Sequence, residues 1–456
     1  MTRSALPHRP GGVREVLALS WPAVINMLSI TLMGAADTYF AGRLGTTEQA
    51  AVGFSSTLLW TALCFFVGTL ELVQTFVAQN VGAAQPARAA RWGSVGLQMA
   101  LLFAVLLVPL AWLGRPLFEA CGIAPELIPA SDEYYRIRVL GAGIFLVTRV
   151  QDAYYRGVGD TRTPMVVAII GNLLNVLLDA IFVLGWAPLG IPSLGVAGVA
   201  WATVIATVLQ VGIYQSLWRR DRRGGRHTPR YLEKSPVASF RELFRVGAPA
   251  GLHWLLDLGA WTAFTVAVAR LDPVQSAANI IGITVIRASF MPGYGVSTAA
   301  QTLVGQYLGA KDTDSAARAG WTSTGVAAVY MIAMGVAFWF FRFRIVGWFS
   351  DDPAVVSLGA RLLIWAAFFQ LGDAIQVVLA GALRGAGDTK FVMIASLTGA
   401  WFVFAPLAFI LMGYYGMGAE AGWIAINAWV IVLSAMLIHR FRGSRWHARA
   451  LDLEPR

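Results

Sequence analysis

The sequence predicts an all-α integral membrane protein, with about twelve transmembrane helices arranged as two pseudo-symmetric six-helix lobes. Three observations predict it. Hydrophobic residues fill 57% of the 456 positions and charged residues only 13%, against about 45–50% and 25% in soluble domains. Apolar runs of the roughly 20 residues needed to cross a bilayer recur along the chain. Two motifs occur twice, half a chain length apart. The composition excludes a disordered chain, which would be apolar-poor and highly charged. It also excludes a soluble globule, because too few polar residues remain to build a wet surface; the mean hydropathy is +0.63.

The apolar runs cover about 16–42, 51–80, 92–115, 133–156, 163–186, 193–217, 242–269, 275–308, 318–345, 356–384, 391–413 and 417–439. Runs above 25 residues leave room for tilt, or for kinks at Pro22, Pro249 and Pro292. The first run follows a basic start and has no small-residue cleavage site, so it reads as a first transmembrane helix and not a cleaved signal. The net charge of +10 could suggest nucleic acid, but its distribution does not. Arginine and lysine gather in alternate connectors, such as YYRGVGDTRTP, WRRDRRGGRHTPRYLEK and LRGAGDTKF, whereas GRLGTTEQ and GYYGMGAEAGW have few. This positive-inside bias places both termini in the cytoplasm. Cys64 and Cys121 have no CxxC or metal-ligand spacing, so neither a disulfide framework nor a zinc site is implied.

The repeat decides the architecture. QTFVAQNVGA at 74–83 returns as QTLVGQYLGA at 301–310, and RGVGDT at 156–161 returns as RGAGDT at 384–389. The offsets are 227 and 228 residues, and Pro22 and Pro249 share the first. The chain therefore divides into an N-terminal lobe (1–217), a basic cytoplasmic linker (218–241) and a C-terminal lobe with a cytoplasmic tail (242–456). Six spans per lobe is an even number, so the halves enter from the same side and are related by an axis along the membrane normal, with a site expected near the midplane.

Ionisable residues inside spans are the candidate site, because each costs about 2.5–3.5 kcal/mol to insert. Asp37 lies in the first span. Asn175 and Asp179 lie in the fifth at i and i+4, on one helix face. Thr203 lies in the sixth. If these helices meet, the first half holds a polar pocket with two carboxylates. Asp257 in the seventh span and Asp373 in the tenth form the pair of the second half. A carboxylate in low dielectric takes up and releases a proton nearer neutrality, and a neighbouring amide orients it. One pH unit then supplies about 1.4 kcal/mol per proton, and 100 mV about 2.3 kcal/mol per charge. Glu71 in the second span and His253, one turn before Asp257, are further candidates, the first with no second-half counterpart and the second as a proton relay or an interfacial hydrogen-bonding group. Arg149 and Asp152, at i and i+3, read as a structural ion pair. GVGD (157–160) and GAGD (385–388) match the GxGD of intramembrane aspartyl proteases, but both fall at span ends. Asp160 and Asp388 read as helix-end and loop residues, with Arg156 and Arg384 capping helix C-termini.

The duplicated QTxVxQxxGA and RGxGDT elements, together with twelve spans, resemble the multidrug and toxic compound extrusion (MATE) family over nearly the whole chain. The resemblance implies two six-helix lobes around a V-shaped central cavity, and efflux of cationic amphipathic drugs in exchange for protons or sodium. It implies coupling and substrate roles for Asp37 (fifteen residues after Pro22), Asn175, Asp179 and Thr203 in the first lobe. In the second it implies such roles for Asp257 (eight residues after Pro249, where NorM-like members usually have Glu) and Asp373, which precedes AIQVV. NorM-like members often place a tyrosine one turn before that aspartate; here it is Phe369, which weakens a sodium site at Asp257 and Asp373. Proton coupling through Asp37 and Asp179 leads, and sodium stays open. No cofactor is implied beyond the coupling ion. The partners implied are cationic amphipathic small molecules and membrane lipid, with no nucleic acid; the protein is expected to be a monomer of the inner membrane. The alternatives are a lipid-linked oligosaccharide flippase of the same superfamily, whose cavity would need several basic residues, and an intramembrane aspartyl protease, which would need a paired catalytic set at one depth.

Overall fold

The computed structural model describes residues 10–186, 190 and 192–447. The first nine residues, most of the connector at 187–191 and the tail beyond 447 lie outside that description. The described chain is helical: α1 (Val13–Leu44), α2 (Thr46–Leu70), α3 (Val73–Gly82), α4 (Pro86–Leu107), α5 (Gly114–Ala120), α6 (Ile128–Gly157), α7 (Arg162–Leu184), α8 (Gly195–Arg223), α9 (Val237–Ala269), α10 (Pro273–Gly309), α11 (Thr313–Gly347), α12 (Pro353–Gly385), α13 (Thr389–Gly399), α14 (Ala405–Gly413) and α15 (Ala419–Arg442). Eleven membrane-length segments among them are apolar enough to cross a bilayer, counting α2–α3 and α13–α14 as one each. The remaining expected span, 133–156, is α6. It is 30 residues long but carries Asp132, Glu133, Arg136, Arg138, Arg149 and Asp152, which lower its hydropathy.

The helices run unbroken through Pro22, Pro249 and Pro292, and the interruptions fall elsewhere. The second span tightens at Glu71 and Leu72, where Leu72 N–H donates to the Thr69 carbonyl and Gln74 N–H to that of Glu71; these three-residue bonds shorten the turn without leaving donors bare. The third span ends as a helix at Leu107 and tightens over Val108–Trp112, where Pro109 has no N–H to continue the ladder. The eleventh widens into a π turn, Ala400–Phe404, between α13 and α14. Pro406 cannot donate to the carbonyl four residues earlier, and a wider turn restores the register beyond it.

The described chain forms two compact units, one of Ile25–Val81 with Gln85–Gly251, the other of residues up to Val24, Gly82–Ala84 and Leu252 onward. They follow the sequence halves except at Gly82–Ala84 and at the starts of α1 and α9, each of which lies in the unit built mainly from the other half. In the first unit α6 packs on α2, α4 and α8, and α7 on α8; in the second α12 packs on α10, α11 and α15. The exchanged starts sit at close approaches. A β-carbon on Gly247 or Gly251 would strike the backbone of Thr69 or Phe65, and one on Gly295 would strike Val24. Glu15 on α1 accepts a hydrogen bond from the Tyr307 hydroxyl of α10 at 2.7 Å.

The duplicated motifs account for themselves in this packing. In the first half Arg156 Nε donates to Gln74 Oε1 at 2.9 Å, and a β-carbon on Gly157 would lie 2.8 Å from the Gln74 carbonyl oxygen. In the second half Gly385 abuts the Gln301 carbonyl in the same way, and Gly82 of the first motif copy leaves no room for a side chain against the Gln306 carbonyl of the second. Arg156 thus reaches a side chain on the neighbouring helix, where the sequence suggested a helix cap. The linker is shorter than expected, because α8 runs on to Arg223 and α9 starts at Val237, and it is strapped to the first unit. Gln98 Nε2 donates to the carbonyls of Tyr231 (2.9 Å) and Glu233 (2.6 Å), Ser94 Oγ donates to the Glu233 carboxylate, and Gln215 donates to the Tyr231 hydroxyl. Burial pushes the Tyr231 phenol up, and the Gln215 bond opposes that shift.

Candidate cation-coupling site

In the first unit three helices bring the four expected residues together. On α7 the i, i+4 spacing places Asn175 and Asp179 on the face that also buries Gly171 and Val183. A β-carbon at Gly171 would run into the Gln210 side chain, so α7 lies close against α8. α1 is tied to α7 where Asn172 Nδ2 donates to the Ser29 carbonyl at 2.6 Å. Asp37, Asn175, Asp179 and Thr203 are at most 6% exposed. The Thr203 hydroxyl lies 3.0 Å from Asp37 Oδ2 and 3.1 Å from the Val199 carbonyl, and donates to one at a time. Asn175 Nδ2 donates to Asp37 Oδ1 at 3.3 Å and to Thr203 Oγ1 at 3.4 Å. Asp37 therefore has a donor within reach of each oxygen. Asp179 adjoins Asp37, yet neither of its oxygens, nor Asn175 Oδ1, has a protein donor. Buried polar atoms are rarely left so. A proton between the two carboxyls, or a cation among these oxygens, would satisfy them.

Sequence reasoning passed over one member of this layer. Tyr134 of α6 packs in a cluster with Ala41, Val183 and Val199. One helical turn along each helix from that cluster lie Asp37, Asp179 and Thr203 and, on α6, Arg138. The turns run backward on α1 and α7 and forward on α6 and α8, as antiparallel neighbours require, so Arg138 is level with the acid pair. Its guanidinium sits over the Tyr134 ring, 5.9 Å from the centroid, its charge acts on both Asp37 and Asp179, and its Nε has no acceptor. The signal was available: Arg138 lies five residues inside the expected fourth span, where a basic group is costly.

In the second unit the arrangement is sparser. Asp373 on α12 is 2% exposed. Gln376 Nε2 donates to its Oδ1 at 2.7 Å, and its Oδ2 has no donor. Asp257 on α9 is near enough for the two charges to interact. With His253 one turn away, Asp257 lines a cavity of about 10 Å³ beside Ser396, Leu397 and Ala400, room for about one water, next to the π turn. His253 Nδ1 is buried without a partner. Phe369, buried one turn before Asp373, brings no hydroxyl. Glu71 stands at the junction of α2 and α3, apart from the group of four. Arg149 and Asp152 form the expected ion pair at 2.7 Å, joined by the Tyr214 hydroxyl. Asp160 caps the start of α7, accepting from the backbone of Arg162 and Thr163, and Asp388 pairs with Arg440 at 2.7 Å. Asp160 thus serves a helix start, and Asp388 an ion pair to the last turn of α15.

The MatE family profile matches residues 22–181 and 249–410. A probable multidrug resistance protein NorM of Xanthomonas axonopodis is 30% identical over 96% of both chains. The multidrug resistance protein PmpM of Pseudomonas aeruginosa is 30% identical over 90% of this chain and 87% of its own. Among solved structures, the eukaryotic MATE transporter AtDTX14 superposes with a TM-score of 0.87 at 16% identity, covering 96% of this chain and 97% of its own. A MATE structure in a bent conformation gives 0.87 at 22% identity, covering 96% of each. At these identities the structures speak to the fold alone.

Proposed function

The chain belongs to the MatE family, and we propose that it is a multidrug efflux transporter exporting cationic amphipathic compounds in exchange for protons. As a multi-pass membrane protein, it would work by alternating access, as a monomer in the inner membrane with both termini cytoplasmic. The observation that carries the reading is the buried group of Asp37, Asn175, Asp179 and Thr203. Two adjoining carboxylates cannot both stay ionised without strong repulsion. A proton held between them gives Asp179 the donor it lacks, and its release leaves negative charge that draws an organic cation into the same place. Asn175 and Thr203 hold Asp37 in one orientation through either state. Proton and cargo then compete for one site, which is the condition for exchange. Sodium remains a second reading for the Asp257–Asp373 pair, favoured by the unserved Oδ2 of Asp373 and the water-sized cavity beside Asp257.

The test is purified protein in liposomes with a pH-sensitive dye inside, under an imposed proton gradient and then a sodium gradient, with ethidium as the cation. Discharge of the proton gradient by ethidium, abolished by Asp37→Asn, is the expected result. Exchange supported by sodium alone and abolished by Asp373→Asn would move coupling to the second unit. No response to either gradient would sink the antiport reading and raise that of a flippase.

A further inference from the structure

Arg138 is hard to reconcile with a lobe that takes only simple cations. A fixed guanidinium level with the acid pair repels any cation approaching that pair, and an arginine within a span is expensive to keep. Among the described residues it makes no hydrogen bond and no ion pair; Tyr134 offers only its ring face. Beside it opens a cavity of about 90 Å³, lined by Arg138 with Ser56, Trp60, Phe145, Val204 and Thr207. That is well below the roughly 300–1,000 Å³ of a pocket enclosing a whole drug, and suits one functional group. Its lining supplies a planar fork of donors that matches a carboxylate and two aromatic walls; its hydroxyls, on Ser56 and Thr207, already donate to the Tyr134 hydroxyl and the Thr203 carbonyl.

We propose that Arg138 and this cavity form a subsite for the carboxylate of zwitterionic amphiphiles, whose cationic end lies on the Asp37–Asp179 pair. The proposal rests on the efflux reading above and adds a selectivity to it. A plain cation meets both the acid pair and the opposing guanidinium. A zwitterion satisfies the two at once, and its carboxylate removes the repulsion. Trp60 and Phe145 flank the ring system that joins the two charges, and Arg138 sets preference by charge pattern.

The test compares rhodamine B, a xanthylium cation bearing a free carboxylate, with its ethyl ester, which keeps the cation and lacks the acid. Binding of each to the full-length protein in nanodiscs is read by fluorescence polarisation. The wild type is expected to bind both. Arg138→Gln should weaken rhodamine B about tenfold or more, as loss of a charged hydrogen-bonding partner does, while the ester binds as well or better. Arg138→Lys should restore part of the difference. Loss of ester binding in Asp37→Asn, with retention in Arg138→Gln, supports the assignment of the two charges to separate groups. If Arg138→Gln weakens both dyes alike, or neither, or if the wild type binds only the ester, the subsite is overturned. A wild type that binds neither dye fails the efflux reading and this one with it.

Discussion

The two halves of this protein share a scaffold but carry different chemistry. In the first unit two carboxylates, an amide, a hydroxyl and a guanidinium from four helices occupy one layer, with a side-chain donor within reach of each oxygen of Asp37. In the second, Asp373 has a single amide donor and Asp257 faces a cavity for about one water. The repeat register sharpens the contrast. At an offset of 227 the partner of Asp37 is Phe264 and the partner of Asp257 is Ile30; Asp373 falls opposite Phe145 or Leu146. The acids of the second half are thus no copies of those in the first. Duplication preserved the close approach of Gly157 to the Gln74 carbonyl and of Gly385 to the Gln301 carbonyl, and each half has its own buried charges. The proposed proton coupling rests on the first of these arrangements, where two carboxyls adjoin.

The largest expected effect tests that directly. Asp37→Asn or Asp179→Asn should lower proton-driven efflux by about a hundredfold, the upper range of coupling energies, whereas Asp373→Asn should lower it about tenfold or less. Initial rates of ethidium efflux in liposomes measure both, and a reversed order would place coupling in the second unit. Next come the groups that orient Asp37. Thr203→Val and Asn175→Leu each remove donors from a buried charge, at about 1–3 kcal/mol, and should reduce efflux by roughly tenfold with the protein still folded. The scaffold is probed by Gly82→Ala, which forces a methyl against the Gln306 carbonyl and should destabilise by about 1–3 kcal/mol. Gly53→Ala, in open space on α2, should be neutral or slightly stabilising by helix propensity; melting temperatures in detergent compare the two. Phe369→Tyr would give the second unit the hydroxyl it lacks, and should raise sodium-driven efflux several-fold without changing the proton-driven rate. The smallest effect is expected from Gln98→Leu. It frees the linker from two hydrogen bonds worth about 1 kcal/mol each, and should show as faster proteolysis within 224–236.

Much of this was legible in the residues. Asp37, Asn175, Asp179 and Thr203 stand out because polar groups in apolar runs are costly, and the i, i+4 spacing of Asn175 and Asp179 already puts them on one face. Arg138 and Glu71 show the limits. Arg138 is near a span end in sequence, and only the packing of Tyr134 against α1, α7 and α8 shows it level with the acids. Glu71 reads as a mid-helix acid until the turn tightens beneath it. The prolines mislead in the opposite direction. Pro22, Pro249 and Pro292 sit in unbroken helices, while the ladder is re-registered at Glu71, Pro109 and the π turn before Pro406.

Hydrophobicity, charge placement and the half-length repeat determined the membrane class, the helix count and the duplicated architecture, because they act locally along the chain and a bilayer punishes every bare polar group. Which helices meet was decided only in three dimensions. Packing set the pairing of Asp37 with Asn175 and Thr203, the alignment of Arg138 with them, and the exchange of the α1 and α9 starts. Such contacts join residues distant in sequence, Asp37 and Thr203 being 166 positions apart, and they depend on how closely helix backbones approach at Gly82, Gly247 and Gly251, a distance no linear pattern encodes.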